Sequence, residues 1–129
     1  MTTFALLTTS LLFGGMVLYA FGFAAFVFSA LPTDAARALI RKAFPHFYIF
    51  VMVIALLASA VTWSHDVISA VLLAFISLSV IPTRQILMPA INRATDTHAT
   101  SQFRWLHGAS VVITLAHIGV AGVVLARFV

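Results

Sequence analysis

Cysteine is absent from the 129 residues. Disulfides, thiolate metal sites and thiol nucleophiles are therefore excluded. Carboxylates are almost as scarce: Asp34, Asp66 and Asp96 are the three acidic residues, and each falls between apolar runs. A buried carboxylate pair for general acid–base work is thus not available. Neither an HExxH pattern nor a glycine-rich phosphate loop occurs. Charged residues of both signs make up only 8% of the chain, against about 25% in a soluble domain. These shortages argue against an enzyme and for an integral membrane protein.

What is present is apolar. Hydrophobic residues are 63% of the sequence and the mean hydropathy is +1.14, enough for about four spans of roughly 20 residues. The isoelectric point near 10.8 does not indicate nucleic acid, because the basic residues cluster in two loops. The first of them, Arg37, follows the first apolar run. A secretory signal would carry its basic residues ahead of that run, so the N-terminal segment reads as a retained span. The expectation is an all-α membrane protein: one domain over residues 1–129, a four-transmembrane-helix antiparallel bundle with spans at about 4–31, 44–63, 67–93 and 97–127.

Local signals fill in this outline. Thr8, Gly15, Gly22 and Ser29 recur every seven residues in span 1 and predict a helix-packing seam. Pro32 closes that span. Thr33 is placed to cap a short amphipathic interfacial helix, with Ala36, Leu39, Ile40 and Ala43 set against Arg37, Arg41 and Lys42. Pro45 suits the first turn of span 2. The short 64–66 connection forces spans 2 and 3 into a hairpin. Pro82 is expected to kink span 3, Pro89 to kink or end it, and Thr95, Asp96 and Thr97 to cap span 4. Arg37, Arg41, Lys42, Arg84, Arg93 and Arg104 all lie in or beside the loops at 32–45 and 84–104, and only Arg127 lies on the other side. By the excess of positive charge, those two loops are cytoplasmic, both termini are outside, and the membrane is expected to be a bacterial inner membrane.

The chemistry-bearing pattern is in span 4. At helical spacing His107, Ser110, Thr114 and His117 share one face of an otherwise apolar segment. In hydrocarbon such a stripe must meet protein, ligand or water. Tyr19 and Tyr48 are the polar tips expected near it, with Met52 beside them. His46 and His107 fall at comparable depth at the basic end, a disposition suited to paired axial ligands of a b-type haem. His117 lies about 15 Å farther along the axis, too far to share a metal ion with His107. It suits a second haem, or a hydrogen bond between helices.

Several segments occur in a distinctive order: LLFGGM (residues 11–16), VFSALP (27–32), KAFPHFY (42–48), LMPAINRATD (87–96) and FRWLHGAS (103–110). Together they resemble a family of small four-span membrane proteins catalogued as a domain of unknown function, which includes a human transmembrane protein linked to cisplatin resistance. The LHG-x-S segment and the LP…FP pair are the most specific parts. The resemblance implies a four-span bundle and no established reaction or ligand. It carries over to Gly15, Pro32, Phe44, Pro45, Pro89, Arg104, His107, Gly108 and Ser110, and not to His46 or His117.

The reading favoured by these residues is a small-molecule or metal binding and transport module. Its ligand or pathway residues are His107, Ser110, Thr114, Tyr19 and Tyr48. Four spans are few for a transporter, so a homodimer or a larger membrane complex is expected alongside the lipid bilayer. One alternative is a b-haem protein for electron transfer or redox sensing, ligated by His107 with His46 or His117. Another is an accessory or assembly subunit whose polar stripe only packs helices.

Overall fold

The computed structural model describes residues 2–129. Four long helices follow one another: α1 (Thr2–Ala30), α2 (Thr33–Thr62), α3 (Val67–Asp96) and α4 (Thr100–Arg127). Each is long and apolar enough to cross a membrane. At 1.5 Å per residue, 30 residues extend about 45 Å, well beyond the roughly 30 Å of bilayer hydrocarbon. The chain is an integral membrane protein built as an all-α four-helix bundle.

Large apolar side chains point outward as well as inward. Phe4, Leu18, Ile86 and Val112 are between 64% and 70% exposed, as helices facing lipid require. Inside, the core joins Leu12 and Met16 of α1 to Phe47, Val51 and Ala55 of α2, Leu73, Ile76 and Val80 of α3, and Ala121 and Val124 of α4. The α2–α3 hairpin packs most closely. Ala55, Ala58, Ser59 and Ala70 are all nearly or wholly buried, and such small residues let the two backbones approach. Two hydroxyls then bridge the gap: Ser59 Oγ donates to the Ala70 carbonyl at 2.7 Å and Ser77 Oγ to the Met52 carbonyl at 2.8 Å.

Several local expectations need correction. The segment read as a separate amphipathic helix is the first part of α2, which runs through Pro45 without a break. The proline removes the donor that the Arg41 carbonyl would otherwise use, and two other carbonyls of this stretch take bonds from neighbouring helices. Tyr19 Oη donates to the Ala43 carbonyl at 2.9 Å, and Arg84 Nε to the Pro45 carbonyl at 3.4 Å. Thr33 does not cap: Pro32 holds the N-cap position and no side chain bonds there. Thr95 and Thr97 close α3 by bonding back to Ile91 and Arg93. The N-cap residue of α4 is Ala99.

The seven-residue stripe of α1 is likewise not the packing seam. The buried residues there are Ala5, Thr9, Leu12 and Met16. Of the stripe's two glycines, Gly15 is covered by another helix, a Cβ there lying 2.5 Å from Phe50 Cζ, whereas Gly22 meets Leu18 of its own helix. An ideal helix drifts off a strict seven-residue repeat, and a π-helical turn at Leu18–Phe23 shifts the register further. A second π-helical turn, Thr83–Leu87, follows Pro82 in α3. The helix then continues through Pro89 to Asp96.

Candidate functional site

The first π-helical turn contributes Ala20 and Phe21 to a groove, and the second ends just before Met88, which lines the same groove. Close packing of α4 on α1 involves chiefly the first half of α1, Thr2–Val17, whereas its last turns, Ala24–Ala30, rest on α2. Farther along, α4 packs against the end of α3. The second half of α1 and the first half of α4 therefore diverge, leaving a groove of about 320 Å³ that all four helices line. This volume falls at the lower edge of the roughly 300–1,000 Å³ range of small-ligand sites.

Its walls are mostly apolar. Ala20, Phe21, Ala24 and Phe28 come from α1; Ile40 and Phe44 from α2; Met88 and Ile91 from α3. The polar groups are few and come from three helices. Tyr48 enters from α2, Asn92 from α3, and His107, Ser110 and Thr114 from α4, with Arg41 also lining the groove. Four of the five residues predicted as ligand or pathway groups thus stand together.

Their hydrogen-bonding states differ. Ser110 Oγ donates to the His107 carbonyl at 2.7 Å and Thr114 Oγ1 to the Ser110 carbonyl at 3.0 Å. Both hydroxyl protons are committed to their own helix, which leaves only lone pairs to offer. The Arg41 guanidinium is held by Asp96 in a two-pronged pair of 2.7 and 3.0 Å. The His107 ring stacks on Phe103, with centroids 5.4 Å apart and planes 6° from parallel. Tyr48 is only 5% exposed, yet among the described residues its hydroxyl takes part in no hydrogen bond. Among the described residues Asn92 and the His107 ring nitrogens also have no hydrogen-bond partner.

The remaining predicted residues lie elsewhere. Tyr19 bonds to Ala43, stacks on Phe47 with centroids 5.2 Å apart, and lines a separate apolar groove beside Gly15, Gly22 and Phe50. Met52 is half-buried at the α2–α3 contact. His46 is exposed and outside the groove, so the groove receives one of the two imidazoles proposed as paired haem ligands. His117 is buried, with Nε2 2.8 Å from Ser79 Oγ. Among the described residues no three His, Asp or Glu side chains gather to hold a metal ion.

Sequence reasoning missed Asn92 and both ion pairs. The signal for Asn92 was there: it is the chain's sole asparagine, one turn before Asp96 on an apolar helix. Asp96, expected to help cap span 4, instead pairs with Arg41. Asp66, read as a loop residue, caps α3 through Ser69 N and pairs with Arg127. Arg127 and Ser69 together hold its carboxyl well below the usual carboxylate range.

No curated protein and no solved structure matches the chain. A family model does match, over residues 7–100. The FRWLHGAS segment falls beyond that match, so His107 and Ser110 receive no support from it, whereas Tyr48, Met88 and Asn92 lie inside it. The matched region spans most of the sequence, and the chain belongs to the family described as a domain of unknown function, DUF4149.

Proposed function

We propose that this protein is a membrane module that binds, and passes along the bundle, a small molecule held in the four-helix groove. The observation that carries the reading is Tyr48. Its ring is buried, while its hydroxyl lacks a protein partner among the described residues and keeps accessible surface, unlike the sealed Thr9 Oγ1. It borders a groove wide enough to admit a small molecule. Half-buried Asn92 adds a further group without a protein partner among the described residues, and exposed His107 faces the same groove. A metal ion is less well supported, since no ligand cluster forms. A b-type haem is less well supported too, with His46 outside the groove and His117 engaged by Ser79. The human family member's link to drug resistance, which the resemblance alone supplies, accords with small-molecule handling by analogy only.

The groove lies in the half of the bundle nearer the end where Arg37, Arg41, Lys42, Arg93 and Arg104 lie. By the positive-inside rule that end faces the cytoplasm and both termini lie outside. A reporter fused at the C-terminus is expected to be active outside the cytoplasmic face; cytoplasmic activity overturns this orientation.

Native mass spectrometry tests the binding itself. Protein extracted gently from its own membrane is expected to carry a bound small molecule. Ala24→Trp, which fills the groove from a half-buried wall position, is expected to lose it. If both forms carry the same adducts, or neither carries any, the polar stripe only packs helices and the accessory reading takes over.

A further inference from the structure

We infer that the groove takes the head of an uncharged, carbonyl-bearing lipid, entering sideways from the bilayer, with its hydrocarbon chain left between α1 and α4. The inference rests on the binding reading above and specifies the ligand class and its route. Three observations lead to it.

The first is the opening. Phe21 and Phe28 line the groove and are also 39% and 48% exposed. Phe21 lies nine residues before the end of α1, about 14 Å along the axis. The opening therefore extends to hydrocarbon depth, where a lipid chain and not water lies outside.

The second is charge. Arg41 is the charged residue that lines the groove, and its guanidinium is already satisfied by the Asp96 carboxylate. Within the lining an anionic head finds no unpaired cation, and a cationic head finds no carboxylate. Burying either without a counter-charge is costly.

The third is the direction of the free hydrogen bonds. Tyr48 has an O–H, Asn92 an amide N–H2 and His107 a ring N–H to donate, all unclaimed. Ser110 and Thr114 have spent their protons. The same side chains also keep acceptor atoms, but the donors come from three helices and call for an acceptor, and a carbonyl oxygen is an uncharged acceptor that lipids supply. Two kinds fit this chemistry: the ester carbonyls of a glycerolipid and the ring carbonyls of an isoprenoid quinone.

The test uses the methionines as reporters. Met88 lines the groove and Met16 is fully buried in the core. The full-length protein, labelled with 13C at the methionine methyls, is placed in phosphatidylcholine nanodiscs. It is titrated with dioctanoylglycerol, with a decyl-substituted benzoquinone, with the same benzoquinone lacking its chain, and with decanoate. The Met88 signal is expected to shift saturably with one of the two chain-bearing neutral probes, which identifies the source, while Met16 stays still. The chainless quinone and decanoate are expected to bind at least tenfold more weakly, and Tyr48→Phe to weaken the neutral probe at least fivefold. Equal response to decanoate, or no effect of Tyr48→Phe, overturns the inference. If Met88 ignores every probe while native mass spectrometry still finds a molecule that Ala24→Trp loses, the lipid class is wrong and the binding reading stands. If neither experiment finds a ligand, both fall.

Discussion

Ser79 Oγ and His117 Nε2 meet at 2.8 Å across the α3–α4 contact. Ser79 Oγ is also 3.1 Å from the Ile76 carbonyl, and its own carbonyl accepts from Thr83 Oγ1 at 3.0 Å. The histidine is thus tied into a short polar chain just before a π-helical turn, one turn from the groove residue Thr114. Ser79→Ala strands a buried imidazole and is expected to cost about 1–3 kcal/mol. The coupling in a double-mutant cycle with His117→Ala is expected near 0.6 kcal/mol, the average for hydrogen bonds between membrane helices. Unfolding in mixed micelles measures both. Zero coupling contradicts the bond.

Adjacent glycines in α1 should respond oppositely. A Cβ at Gly15 meets Phe50 Cζ at 2.5 Å and Cε1 at 2.6 Å, while one at Gly14 meets nothing within 4 Å. Gly15→Ala forces the Phe50 ring aside and is expected to destabilise by about 1–3 kcal/mol. Gly14→Ala gains helix propensity, about 0.5–1 kcal/mol. The same unfolding assay separates them, and equal effects contradict the packing of α1 on α2.

The Arg41–Asp96 pair makes the groove indifferent to anions in this account. Its side chains are 45% and 56% exposed, so its contribution to stability is small, and its effect on the charge of the groove is the larger consequence. Asp96→Asn frees a guanidinium in the lining. Decanoate, excluded from the wild type, is expected to bind the variant at least fivefold more tightly, read from the Met88 methyl signal. Unchanged affinity contradicts the assigned role of the pair.

At the opposite end, Arg127 Nε and Nη2 each donate to Asp66 at 3.0 Å. The depressed pKa of Asp66 fixes the sign of the pH dependence. The stabilisation is fully present above the unfolded value near 3.9 and is lost as pH falls through the lower folded value. Asp66→Asn is therefore expected to lower the thermal midpoint at pH 7 and to narrow its gap to wild type below about pH 3.9. A gap that widens on acidification contradicts the pairing.

Much of this was legible in the chain. Four apolar runs, two loop clusters of basic residues and a three-residue connection require an antiparallel bundle, since hydrocarbon leaves the backbone few choices. The shared face of His107, Ser110 and Thr114 was legible from helical spacing, whereas the depth match of His46 with His107 did not bring His46 into the groove. The exact face of α1 was not legible. Its π-helical turn at Leu18–Phe23 contains no proline, and nothing in LYAFGF announces a change of register. The continuity of α2 through Pro45 was also hidden, because a proline in the local pattern suits the first turn of a new helix as well as the interior of one held by its neighbours. Pairing Arg41 with Asp96 spans 55 residues, a contact that local pattern does not reach.

The groove's access to lipid is tested most directly with a single thiol, which the cysteine-free chain permits. Ser110→Cys places that thiol inside the groove, and reaction is followed in native membranes with maleimides of matched reactivity. The account predicts rapid labelling by a lipid-soluble maleimide, slow labelling by a charged impermeant one from either side, and at least tenfold protection when Ala24→Trp fills the groove. Labelling by the charged reagent at the same rate, or labelling unaffected by Ala24→Trp, contradicts a laterally open groove between α1 and α4.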